Sequence, residues 1–210
     1  MNQTEKHPSP PMTELLKTIP DMIGLRLNQQ PDYTVIASDG DFEIRHYERT
    51  YLAQVSESGN RDEALKKGFH RLADYIFGKN SSNVENEEPH SVKMAMTAPV
   101  FHEEKDGKWL ISFVIPAKYH ISNVPRPLDT EIHLVEKNPK EVAVVTYSGT
   151  NNDEKMREHQ ASLQLWLDHK KIKTTSGFYF AQYDPPFTVP LFKRNEVFVK
   201  VDYPTSPHQI

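Results

Sequence analysis

The hydrophobic pattern switches between two periods along the chain. Residues 33–37 (YTVIA), 42–47 (FEIRHY) and 51–58 (YLAQVSES) are short runs rich in β-branched and aromatic side chains, the composition of strands. In the second run Phe42, Ile44 and His46 share one face, and Glu43, Arg45 and Tyr47 share the other, because successive side chains on a strand alternate. Leu65, Phe69, Leu72 and Ile76 then recur at helical spacing. They predict a helix over 61–77, capped by Asn60 or Asp62 and ended at Gly78. Residues 92–101 (VKMAMTAPVF) and 109–116 (WLISFVIP) read as strands joined by an Asp106-Gly107 turn. Beyond a proline-containing connector at 123–129, TEIHLVE (130–136) and EVAVVTYSG (141–149) read as strands. A second helix is predicted over 152–169, with Met156, Leu163 and Leu167 on one face. GFYFAQYD (177–184) and EVFVKVDY (196–203) complete the strands and flank the loop PPFTVPLFKRN.

The two halves repeat this order: strand, long helix, strand, strand. Asn60-x-Asp62-Glu63 overlays Asn151-x-Asp153-Glu154, and at the same offset Leu72 falls on Leu163 and Ile76 on Leu167. The predicted fold class is α+β, a duplicated β-α-β-β unit whose strands form one antiparallel barrel-like sheet. Two long helices lie outside it, related by a pseudo-twofold. The domain is expected over 32–204. Before it, residues 1–31 are expected to be a flexible tail, with Leu15, Leu16, Ile19, Met22 and Ile23 at helical spacing around Pro20.

Composition narrows the chemistry. The chain has 210 residues, 37% hydrophobic and 26% charged, a globular composition without the roughly 20-residue apolar run that spans a bilayer. It contains 0 Cys, which removes disulfides, thiolate metal sites, Cys nucleophiles and thioether-linked haem. With Gly at 8 and no GxGxxG or GxxxxGK[ST], phosphate-cradling loops are absent. Net charge is -4 with both signs interspersed, so nucleic acid is not an expected partner. The first residues carry no apolar signal core, and a cytoplasmic location is expected. No GxSxG or HExxH occurs among the Ser and His residues, and the chain is expected not to be an enzyme.

Four segments carry a resemblance: Phe42-Glu43-Ile44-Arg45-His46-Tyr47, Asp62-Glu63-Ala64-Leu65, Met94-Ala95-Met96-Thr97-Ala98-Pro99-Val100, and Tyr183-Asp184-Pro185-Pro186-Phe187 running into Arg194-Asn195-Glu196-Val197. In this order and spacing the chain resembles the SOUL/haem-binding protein family over about Tyr33 to Tyr203. That family is similar in fold to effector-binding domains of the gyrase-inhibitor type. The resemblance implies non-covalent binding of haem or another porphyrin, between the first helix and the loop after the penultimate strand. Carried onto this chain, the helix contributes Lys66, Phe69 and Leu72. The loop contributes Phe187, Leu191 and Phe192, with Lys193 and Arg194 at its end. His46 stands where some members have a proposed axial iron ligand.

Haem needs an apolar slot, cations for two propionates and optionally an imidazole. Each residue also has a plainer reading. Phe69 and Leu72 equally fit a helix core face, and Lys66, Lys193 and Arg194 equally fit a solvated surface. His46 equally fits a buried or strand-edge imidazole. Met94 and Met96 fit core filling better than iron ligation. Glu196 beside Arg194 fits a structural ion pair. Phe187, Leu191 and Phe192 are the hardest to place otherwise, since three large apolar side chains in one loop must be buried or cover a ligand. The function expected is a haem or tetrapyrrole binder for buffering, transport or sensing. The alternatives are an effector-binding domain for apolar or cationic small molecules, or an enzyme that removes iron from tetrapyrroles. Protein partners are not identified by the sequence.

Overall fold

Asn60 and Asn152 start the two helices by the same local chemistry. Each lies in extended backbone and its side chain accepts a hydrogen bond from the backbone N–H three residues on, Glu63 at 3.0 Å and Lys155 at 2.9 Å. Each cap is followed by two acidic residues in the first turn, which complement the positive end of the helix dipole. The computed structural model describes residues 28–83, 88–185 and 187–204. The helically spaced residues around Pro20 lie outside the described residues. In chain order the elements are β1 (Tyr33–Asp39), β2 (Phe42–Tyr47), β3 (Thr50–Glu57), α1 (Arg61–Ile76), β4 (Asn80–Ser81), β5 (Val100–Lys105), β6 (Lys108–Val114), β7 (Arg126–Pro127), β8 (His133–Lys137), β9 (Lys140–Tyr147), α2 (Asp153–Lys170), β10 (Lys173–Thr174), β11 (Tyr179–Gln182) and β12 (Asn195–Asp202).

The main sheet runs β1-β2-β9-β12-β11-β5-β6-β3-β8, antiparallel throughout. Its connectivity forces it to curl. β2 and β3 lie near opposite ends of that order, yet only Glu48 and Arg49 join them; Asn138 and Pro139 likewise join β8 to β9. A link that short spans about 10 Å at most, so the sheet bends until its ends approach, giving a half-barrel. The same order exposes the duplication. β3-α1-β5-β6 pairs as β5-β6-β3, β9-α2-β11-β12 pairs as β11-β12-β9, and the units join where β5 meets β11. The strand before each unit pairs with the other unit, β2 on β9 and β8 on β3. The α+β class and the antiparallel barrel-like sheet are as the pattern predicts. The helix caps fall one position further apart than the overlay of Asn60 on Asn151, while the buried pairs Leu72/Leu163 and Ile76/Leu167 keep it.

The two faces of the sheet are packed differently. On the convex face Leu72, Tyr75 and Ile76 of α1 pack on Val55, Ile111 and Phe113, and Met156, Leu163 and Leu167 of α2 pack on Ile44, Val145 and Val197. Each such fully buried side chain stabilises by about 1.5–3 kcal/mol. Gly68 lets α1 come close: a Cβ there would stand 2.8 Å from Ile111 Cδ1. The concave face carries Tyr47, Val142, Val144, Tyr183 and Phe198, with Phe101 and Tyr179 against them.

One boundary differs from the pattern. Residues 92–99 are irregular, and the strand begins at Val100. Pro99 has no N–H to give to a ladder, and the segment bonds instead to Asn80, Ile76 and Gln29. Gln29 bridges to Thr97, and its carbonyl accepts from Ala98 N–H at 2.9 Å.

His102 on β5 has an acid-sensitive role. It is 1% exposed, stacked on Phe180 at 5.5 Å, and neither ring nitrogen has a hydrogen-bond partner. Burial, with Arg61 nearby, pushes its pKa down to about 3. The unfolded chain therefore binds the extra proton first, and stability falls as pH drops below about 6.5, by about 1.4 kcal/mol per unit. His102→Phe is expected to remove about 2 kcal/mol of the loss between pH 6.5 and pH 5 in urea unfolding. An unchanged acid slope contradicts this.

Candidate functional site

A cleft of about 760 Å³ opens between α1 and the loop that follows β11, within the roughly 300–1,000 Å³ of small-molecule sites. Residues one helical turn apart share a face, so Leu65 with Phe69 and Lys66 with His70 together form one wall. Met96, Ala98 and Val100, from the irregular stretch entering β5, line it too, and Tyr183, Pro185, Phe187 and Lys193 come from the loop. Thr97 is fixed by donating to the Val114 carbonyl at 2.6 Å. The loop closes on itself, with Tyr183 N–H donating to Arg194 O and Arg194 N–H to Asp184 at 2.6 Å, and it is tied to the β9–α2 connector by Gly149 N–H donating to Pro190 O at 2.9 Å. Its apolar side chains stay partly exposed. Phe187 is 55% exposed, Phe192 47%, Leu191 75%, and Phe69 across the cleft 38%.

The structure brings Lys66, Phe69, Phe187 and Lys193 together and separates the other candidates from them. Leu72 is fully buried beneath α1; the apolar stripe of the helix turns into the core there while Leu65 and Phe69 stay at the cleft. Leu191 and Phe192 sit on a short 3-10 turn, Pro190–Phe192, outside the cleft lining. Arg194 faces the concave interior, since it lies two residues before Glu196 and shares its side of the strand. His46 also lies elsewhere. It shares the convex face with Ile44, at the end of β2, where Nδ1 is 2.9 Å from Glu141 Oε1 and the side chain is 30% exposed. It does not line the cleft. Among the described residues, the imidazole that does is His70, which helical spacing from Lys66 could have marked. Of the two methionines, Met94 is core and Met96 lines the cleft.

Glu196, fully buried on the concave face, accepts from Arg45 at 2.9 Å, from Arg194 at 2.6 Å, and from the Thr146 and Tyr183 hydroxyls. Burial alone would raise its pKa; Arg45 and Arg194 outweigh burial and hold it below the ordinary value. Arg45 also donates to Glu43 and lies 4.5 Å over the Tyr33 ring, and Arg194 lies 4.1 Å over that of Tyr183. An interior carboxylate so neutralised has no charge left for a cationic ligand.

The curled antiparallel sheet thus carries, beside its first helix, an apolar, lysine-edged cleft of the size and lining of small-molecule sites. The sequence model of the SOUL heme-binding protein family matches residues 28–200, and the chain belongs to that family. Heme-binding protein 2 of Homo sapiens is 29% identical over 180 residues, covering 81% of this chain and 83% of the relative. Heme-binding protein 1 of Xenopus laevis is 30% identical over 169 residues, covering 76% and 83%. Among solved structures, the EcmrR C-terminal domain superposes with TM-score 0.54 at 10% identity, over 81% of this chain and 98% of that domain. A hydrolase from Listeria innocua gives 0.51 at 10% identity, over 80% and 94%. Such likenesses concern the fold alone. No described helix is long and apolar enough to cross a membrane.

Proposed function

We propose that this chain binds haem or a related tetrapyrrole, non-covalently and reversibly, in the cleft between α1 and the loop after β11, for buffering, transport or sensing. The observation that carries the reading is the convergence of exposed Phe69 and Phe187 on one cleft with Lys66 and Lys193 in its lining. That arrangement fits an apolar macrocycle with anionic propionates. Family membership and the names of the curated relatives support the same ligand class. His70 or Met96 would hold the iron, and His46 would not, because of where they stand. The neutralised Glu196 argues against a cationic effector at the barrel interior.

Haemin titration followed by absorbance tests the reading. A Soret band that shifts and saturates at one equivalent is expected, with no iron release over repeated cycles. His70→Ala, or Met96→Leu if sulfur is the ligand, is expected to alter the band, and His46→Ala to leave it as in the wild type. A spectrum lost in His46→Ala and intact in both others would move the iron site to β2. Multiple-turnover iron release would make the chain an enzyme.

A further inference from the structure

The hollow of the half-barrel forms a second basin, of about 420 Å³, that shares no lining residue with the cleft. Its floor is a cluster of three rings. Tyr179 stacks on Phe198 at 5.1 Å, and Phe101 meets them edge-on at 5.9 and 5.7 Å. One side of its wall carries lysines. Lys137 from the end of β8, Lys140 from the start of β9 and Lys200 from β12 all line it, each half-buried, and none makes an ion pair among the described residues. The Lys140 ammonium stands 5.5 Å from the Tyr179 ring centroid.

We propose that this basin is a second ligand site, for a small aromatic carboxylate whose ring lies on the Tyr179–Phe198–Phe101 floor and whose charge is met by Lys140 between Lys137 and Lys200. Like charges gathered over an apolar floor repel one another and lose hydration, and an organic anion relieves both costs at once. The charged groups facing Lys140 decide the polarity. Burial, then Lys200 and Lys137, push its pKa down to about 8, and Glu103 of β5 is the carboxylate that opposes them. Burial lowers Lys137 too. Lys105 adds a further cation at the exposed lip, where Glu104 also lines the basin, and Glu48, another lining carboxylate, lies 3.9 Å from His46.

A bound carboxylate raises the Lys140 pKa, so binding near pH 8 takes up a proton. The test is calorimetry with 2-naphthoate at pH 8, in phosphate and in Tris, whose ionisation enthalpies differ. Saturable one-to-one binding with proton uptake is expected, with affinity falling as salt is raised. The double variant Lys140→Gln/Lys200→Gln is expected to bind at least tenfold more weakly, and the cleft variant Lys66→Gln as the wild type does. Lys140→Arg keeps the charge but stays protonated at pH 8. It is expected to retain binding and lose the proton uptake, which tests the proposal even if the double variant fails to fold. No saturable binding to wild type, unchanged binding by the double variant, proton uptake persisting in Lys140→Arg, or binding lost in Lys66→Gln each overturns it. None of these results bears on haemin in the cleft.

Discussion

Glu196→Gln is expected to lower the stability of the folded chain by about 3–5 kcal/mol, the range for breaking a buried ion pair by removing one partner. The substitution keeps the shape of the side chain and removes its charge. Arg45, 3% exposed, and Arg194 then face each other across an amide that can neutralise neither. For a chain of this size that is roughly 10 °C in melting temperature. The pH dependence has a definite sign. Because the folded pKa of Glu196 lies below its ordinary value, its contribution is present at neutral pH and is lost as pH falls through the folded pKa. The difference between wild type and Glu196→Gln should therefore narrow in acid. Urea unfolding of both proteins at neutral and acidic pH measures it. A loss below about 1 kcal/mol at neutral pH would show that the network carries little stability.

That network also marks where the pattern of the sequence stops being informative. Alternation in FEIRHY correctly divides Ile44 and His46 from Arg45 and Tyr47, and the FEIRHY strand and both helix spans are found within a residue of where periodicity puts them. In an open sheet with one wet face, Glu43 and Arg45 would point to water. Here the two-residue links β2–β3 and β8–β9 curl the sheet, so the second face becomes an interior and its polar residues must pair with one another across the hollow. Pairing between Arg45 and a glutamate so far along the chain has no local signature. His46 shows a related limit. Parity gives its face but not its distance from the helix covering that face, and the end of β2 extends to a wet edge where Glu141 is its partner. In α1 the stripe Leu65, Phe69, Leu72, Ile76 is periodic throughout, yet its first half rises into the cleft and its second half enters the core. Spacing cannot divide a stripe whose chemistry is uniform. The loop was legible for the opposite reason: an apolar, proline-rich segment between two strands has no place in either pattern, so its side chains had to be explained by a ligand or by burial.

Phe187→Asp is expected to weaken binding of both haem and iron-free protoporphyrin by more than tenfold. Burying a phenylalanine side chain against a ligand contributes about 1.5–3 kcal/mol, which is roughly 10- to 100-fold in affinity. The aspartate adds the cost of desolvating a charge where the macrocycle would lie. Phe187 is 55% exposed without ligand, so the substitution removes little from the unliganded fold, and the melting temperature should stay within a few degrees of wild type. The iron-free ligand separates ring burial from metal ligation: loss of both ligands assigns the residue to the slot, loss of haem alone assigns it to the iron. Lys66→Glu gives a complementary result, because it reverses a charge in the cleft lining without altering an apolar wall. It is expected to weaken a dicarboxylate porphyrin strongly and its dimethyl ester hardly at all, since only the former presents anions to the lysine. Quenching of protoporphyrin fluorescence reads both. Wild-type affinity in Phe187→Asp and Lys66→Glu together would remove the ligand from this cleft, whereas the predicted split between acid and ester would fix the propionates at its lysine edge.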